Sequence, residues 1–208
     1  MTYQSTLNCS GTMADILLEG VREMIGSSAK LNKNDLLEDY SFKVESSTEI
    51  DNINSFSLSL LRKLLEIAPL EFGDRGASGI AIRIGEASFR CFLRREGKEY
   101  SLTDNSYRLM NSQQRIMFGL SQLVKFAHNN CEAKIQISEN ERYWFWEVQF
   151  VEDDQNSNQI LAAYTLGLLR EFFSWTSGGR YYPMEGVLNS TDFPNSYQIS
   201  ISKLPLEN

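Results

Sequence analysis

Apolar positions recur at helical spacing through the first part of the chain and switch to strict alternation near residue 130. Residues 1–11 are polar and read as a flexible N-terminus. A first helix starts near Thr12, carries Met13, Ile16, Leu17, Val21, Met24 and Ile25, and stops at Gly26. Residues 27–51 are rich in Ser, Asn, Asp and Glu. They predict a linker with one short helix over Asp35 to Tyr40. Asn52 or Asn54 caps a second helix bearing Ile53, Phe56, Leu60, Leu61, Leu64 and Leu65, which ends before Pro69. Ile80, Ile84, Ala87 and Cys91 mark a third helix, with Phe89 and Phe92 on its flank. A long helix follows from about Asn105 to Ala127, its apolar face built from Leu109, Ile116, Leu120, Leu123, Val124 and Ala127.

After Asn129 the period becomes two. Ala133, Ile135 and Ile137 alternate with Lys134, Gln136 and Ser138, and a turn at Glu139 to Glu141 leads into YWFWEVQF. There Trp144, Trp146, Val148 and Phe150 share one face, and Tyr143, Phe145, Glu147 and Gln149 the other. This predicts a β-hairpin. The polar loop EDDQNSN separates it from a helix over Gln159 to Thr176, striped by Leu161, Tyr164, Leu168, Phe172 and Trp175 and stopped by Ser177-Gly178-Gly179. Two further strands cover Arg180 to Asn189 and Ser196 to Lys203. The expected fold is therefore α+β: N-terminal helices on a four-stranded antiparallel sheet, as two strand pairs separated by a helix, in one domain over residues 12–208.

Composition narrows the chemistry. An apolar fraction of 42% is enough for a sizeable core. A net charge of −7 argues against a nucleic-acid partner, which needs surplus Lys and Arg. No apolar run reaches the roughly 20 residues of a membrane span, and the first residues show no signal-peptide pattern. Cys9, Cys91 and Cys131 are few and far apart, which fits a reducing, cytoplasmic setting better than a disulfide framework or a zinc knuckle.

The C-terminal segment carries Trp175, Ser177, Gly178, Gly179, Glu185, Lys203, Pro205 and Leu206 in one register. Upstream, DRGASGIAIRIGEASFRCFLR holds Arg75, Gly76, Gly79, Arg83, Gly85 and Phe89. On these residues, over roughly 12–207, the chain resembles the 4-vinyl reductase domain family. That resemblance implies a scaffold shared with a vesicle-tethering subunit type and with haem-based nitric-oxide sensors. It also implies a hydrophobic pocket, a frequent dimer, and jobs that range from hydrocarbon sensing to (bacterio)chlorophyll biosynthesis. The family's cysteine positions read Ala162, Asn189 and Tyr197 here, and its Gly-Asp turn reads Phe193-Pro194. A thiolate zinc site needs four soft ligands, so neither a metal site nor a cofactor is expected.

No catalytic set stands out. His128 is the only histidine, at a helix C-terminus where a capping or surface role is the ordinary one; an axial ligand to a tetrapyrrole metal is the alternative. The Gly-rich stretch before Ile80 follows no strand and precedes no Gly-Lys-Ser/Thr, so it reads as a close-packed helix entry. Asp153-Asp154 reads as a solvated loop. The chain has no nucleophile elbow, dinucleotide fingerprint or iron–sulfur cysteine set.

The aromatic cluster points either to core or to a flat apolar ligand. In the second case the binding residues are Arg83, Phe89, Trp144, Trp146, Phe172 and Trp175, with Arg83 or Arg90 as polar anchor and a pocket between the Ile80–Phe92 helix and the sheet. The expected function is a non-catalytic domain binding a hydrophobic small molecule, such as a tetrapyrrole or another aromatic. The alternatives are an assembly subunit of a larger complex that lost the ligand site, and an enzyme or accessory in vinyl reduction. Tyr143 and Phe145 on the second sheet face favour a homodimer or complex.

Overall fold

The computed structural model describes residues 10–27, 57–131, 134–149, 155–190 and 193–206. The short helix expected at 35–40, the caps at Asn52 or Asn54, and Asp153-Asp154 lie outside them. The helices are α1 (Gly11–Ser27), α2 (Ser57–Arg95), α3 (Asn105–Leu109), α4 (Ser112–Asn130) and α5 (Gln155–Ser177). The strands are β1 (Lys134–Glu139), β2 (Tyr143–Gln149), β3 (Met184–Ser190) and β4 (Phe193–Ser202). They form one antiparallel sheet in the order β1-β2-β4-β3. The α+β class and the two strand pairs flanking a helix are as expected.

Several helix boundaries differ from the sequence reading; α5, for one, starts at Gln155, inside the loop expected over 152–158, rather than at Gln159. Pro69 does not end its helix. α2 continues past it as far as Gly73, whose φ of 71° kinks the axis, and runs on to Arg95. The expected helix over 105–127 is instead two. The chain breaks at Met110, and Asn111 caps a new helix: its side chain accepts from the Gln114 N–H at 2.9 Å, and the Gln114 side chain accepts from the Asn111 N–H at 3.2 Å. Leu109, expected on the apolar face, is 87% exposed because it belongs to the short α3.

The β1–β2 turn is made by Asn140. Its Oδ1 accepts the N–H groups of Arg142 and Tyr143, each at 2.8 Å. At the end of α5, Gly178 (φ 73°) and Gly179 (φ 92°) turn the chain left-handed, and the Gly179 N–H closes on the Ser174 carbonyl at 2.7 Å. Residues 180–183 are outside any strand, so the third strand starts at Met184 rather than Arg180.

The helices stack in an order that period alone does not specify. α2 lies between α1 and α5, and of these three it is α5 that faces the sheet, while α4 packs on β1. Three glycines let the backbones approach. A Cβ on Gly85 of α2 would sit 2.0 Å from the Tyr164 carbonyl of α5, and one on Gly167 of α5 would sit 1.9 Å from the Ile82 carbonyl of α2. Gly20 of α1 meets Ser88 and the Ile84 carbonyl in the same way. The Gly-rich stretch before Ile80 is helical but not the tight spot: an added Cβ at Gly73 or Gly79 meets nothing within 4 Å, and the close approaches lie further on, at Gly85 and Gly167. Along the outside, Asp15–Arg95, Glu19–Arg94 and Glu23–Arg90 pair α1 with α2 in antiparallel order. These pairs are solvent-exposed and contribute little each.

Candidate functional site

The sheet alternation places Trp144 and Trp146 on the inner face, where they meet α5. Both are 3% exposed. Trp144 lies 5.6 Å from Phe173 and 6.1 Å from Tyr182, ring centre to ring centre, and Phe173 and Tyr182 are 5.2 Å apart. Phe172 crosses Phe173 edge-on at 5.3 Å and Phe89 at 5.8 Å, so the aromatic layer continues from the sheet through α5 to α2. Trp175 stands at the margin, 37% exposed and stacked 5.6 Å over Tyr107, with Phe89 at 5.9 Å. The Tyr107 hydroxyl shares a 3.2 Å hydrogen bond with Thr176. Tyr107 escaped the sequence reading because it belongs to a five-residue helix with no periodic signal.

Phe89, Trp144, Phe172 and Trp175 therefore belong to one continuous aromatic system, and Trp146 lies in the same hydrophobic core. Arg83 does not. It is exposed and lines a shallow cleft of about 190 Å³ between α1 and α2, together with Glu23, Met24, Glu86, Ala87 and Arg90. The pocket expected between the Ile80–Phe92 helix and the sheet is not where the sequence put it, because α5 occupies that place. Arg90, the second candidate anchor, is engaged already: it holds Glu23 of α1 at 2.7 Å and Glu171 of α5 at 3.2 Å.

The polar atoms of the aromatic layer are informative. The indole Nε1–H groups of Trp144 and Trp146 are buried and meet no hydrogen-bond acceptor among the described residues. Leaving such a donor unmade costs about 1–3 kcal/mol. Lys203 lies 5.5 Å over the Trp144 ring with its ammonium 2.6 Å from Glu139, so its charge is answered at the solvent edge.

The cysteines and the histidine among the described residues are each already engaged. Cys91 is fully buried; burial first, then its hydrogen bond to Glu19, pushes the thiol up to about 12, which leaves it protonated and inert. Cys131 is disulfide-bonded, which corrects the expectation of three reduced thiols. His128 is exposed at the end of α4, where its Nε2 accepts the Ile135 N–H at 3.3 Å. No group of three or more His, Cys, Asp or Glu side chains that could hold a metal occurs among the described residues. No described helix is long and apolar enough to cross a membrane.

In the cleft, burial and then the like charge of Glu171 raise the Glu86 carboxyl above its ordinary value. A carboxyl that holds its proton more tightly when folded stabilises the fold below its unfolded pKa, and that contribution is lost as pH rises through the folded value. Glu86→Gln is therefore expected to raise the urea midpoint at about pH 7.5 and to leave it nearly unchanged at about pH 4, where the unfolded carboxyl is largely protonated. An equal gain at both values would disprove the assignment.

No family model matches the chain, and neither does any curated protein. Solved structures do. An H-NOX protein in a study of H-NOX activation aligns with TM-score 0.54 and 16% identity over 96% of this chain and 99% of its own. An oxygen-binding H-NOX domain related to soluble guanylate cyclases, in its oxygen complex, aligns with TM-score 0.53 and 14% identity over 96% of this chain and 97% of its own. The Fe(II) unliganded H-NOX protein from K. algicida gives 0.53 and 12% over 93% and 96%. At such identities the likeness is one of fold, and it matches the nitric-oxide-sensor fold expected from the sequence.

Proposed function

We propose that this chain is a non-catalytic binding domain that takes a small apolar molecule between α5 and the sheet. The observation that carries the proposal is the pair of buried indole N–H groups on β2 with no acceptor. Native proteins pair nearly all such groups, so two neighbouring orphans on one face need a cause. The fold likeness to H-NOX domains and the resemblance to 4-vinyl reductase domains both support small-molecule binding on this scaffold. Tyr182 is the ring that can yield to a guest. It covers Trp144 and Phe173 from residues 180–183, outside regular structure.

The H-NOX neighbours include Fe(II) proteins, which raises haem as a ligand. The donor set does not fit iron held by a protein histidine or thiolate. His128 is outside this layer with Nε2 engaged by β1, Cys91 is buried and protonated, and Cys131 is disulfide-bonded.

A second reading is an assembly subunit. It is favoured by the near-complete enclosure of both indoles and by the Tyr143–Phe145 ring pair, 6.1 Å apart on the opposite sheet face, with Tyr143 40% exposed. Flanking residues on that face, such as Gln136, Ser138, Gln198 and Ser200, are polar, so any subunit contact would centre on those two rings. Native mass spectrometry of the purified chain separates the two readings. A bound organic mass on the monomer supports the binding domain. A ligand-free oligomer that splits on Tyr143→Ser with Phe145→Ser supports assembly.

A further inference from the structure

We infer that the ligand received in the aromatic layer is a neutral hydrogen-bond acceptor, such as a planar ketone. This rests on the reading of that layer as a ligand site and adds its chemical class. An indole N–H can only donate. The two orphans on β2 therefore ask for acceptor atoms, and a pure hydrocarbon would leave both unpaired. They stand two residues apart on one face of a strand, roughly 7 Å along it, so one planar molecule can reach either donor.

The surroundings select against charge. Phe173, Tyr182, Ile199 and Ile201 enclose the indoles, and none of them can offset a lost hydration shell. The cation over the Trp144 ring, Lys203, is already matched by Glu139 at 2.6 Å. A carboxylate entering beside Trp144 would lose its hydration among apolar side chains and find that ammonium engaged. A neutral carbonyl would find the two indole donors at a much smaller desolvation cost.

Three tricyclic probes of nearly one shape test this: 9-fluorenone, fluorene and fluorene-9-carboxylate. Binding to the intact chain is followed by calorimetry and by the indole N–H resonances of Trp144, Trp146 and Trp175. Fluorenone is expected to bind about tenfold more tightly than fluorene, the worth of one neutral hydrogen bond in a buried site. It should shift the Trp144 or Trp146 N–H downfield and leave Trp175 in place. Trp144→Phe with Trp146→Phe keeps two aromatic rings and removes both donors. In that variant fluorenone and fluorene should bind with equal affinity, because the ratio between the two probes reads the hydrogen bond alone. If neither neutral probe binds the unmodified chain, the ligand layer itself is lost, and this inference with it. Three results would overturn the inference alone: equal affinity for fluorenone and fluorene, fluorenone binding indifferent to the double substitution, or tightest binding by the carboxylate.

Discussion

Gly167→Ala is expected to destabilise the protein by about 3 kcal/mol, seen as a lower urea midpoint at unchanged slope. Helix preference alone points the other way, since Ala is favoured over Gly by about 1 kcal/mol inside a helix. The contact decides the sign. The new methyl would lie 1.9 Å from the Ile82 carbonyl and 2.7 Å from its carbon, both backbone atoms of α2. No rotamer change relieves that; α2 and α5 must separate. Gly79→Ala is the control on the same crossing helix. Nothing lies within 4 Å of its added Cβ, so helix preference acts alone and stability should rise by about 0.5–1 kcal/mol. A destabilisation of equal size at both positions would mean that the close helix crossing is not the cause.

Phe172→Ala should cost roughly 3–5 kcal/mol, among the largest effects of any single truncation in the chain. The ring is fully buried and crosses both Phe89 and Phe173 edge-on. It also presses on α4: a Cβ on Gly119 would stand 2.4 Å from the Phe172 ring. Gly119→Ala alone should therefore be costly, and it should become nearly harmless once Phe172 is alanine, because the methyl then enters the space the ring has left. A double-mutant cycle by urea unfolding measures this, and strict additivity would show that the two positions do not meet.

The strand half of the fold was legible because alternation is a local signal that also fixes which residues share a face. Trp144 and Trp146 were assigned correctly to the covered side for that reason, and Gly178-Gly179 marked the end of α5. The helix half was less so. Pro69 was taken as a stop, but the backbone absorbs it and bends at Gly73 instead. Asn111 opens a polar stretch, Asn111 to Arg115, between Leu109 and Ile116, whose helical spacing hides the break, though its pairing with Gln114 is a capping signature legible in the sequence. The layer order was the deepest gap. Periodicity shows that α2 has an apolar face but not which element meets it, and Gly85 and Gly167 are what allow α5 to come between α2 and the sheet. Hence the expected partnership of Arg83 with the indoles did not form, while Phe89, Phe172 and Trp175 did join them.

The strand order β1-β2-β4-β3 also sets the pace at which the domain can assemble. β1 with β2, and β3 with β4, are hairpins whose partners are close in sequence. The seam between β2 and β4 is different: it brings Gln149 onto Ser196 and Tyr143 onto Ser202, with all of α5 enclosed in the loop that closes. Loop closure of that kind is entropically costly and comes before its contacts repay it. The expected rate-limiting step of refolding is accordingly the docking of the two hairpins around α5. Substitutions along the central seam, such as Ile199→Val, should slow refolding, whereas equally destabilising changes in the outer hairpins should mainly speed unfolding.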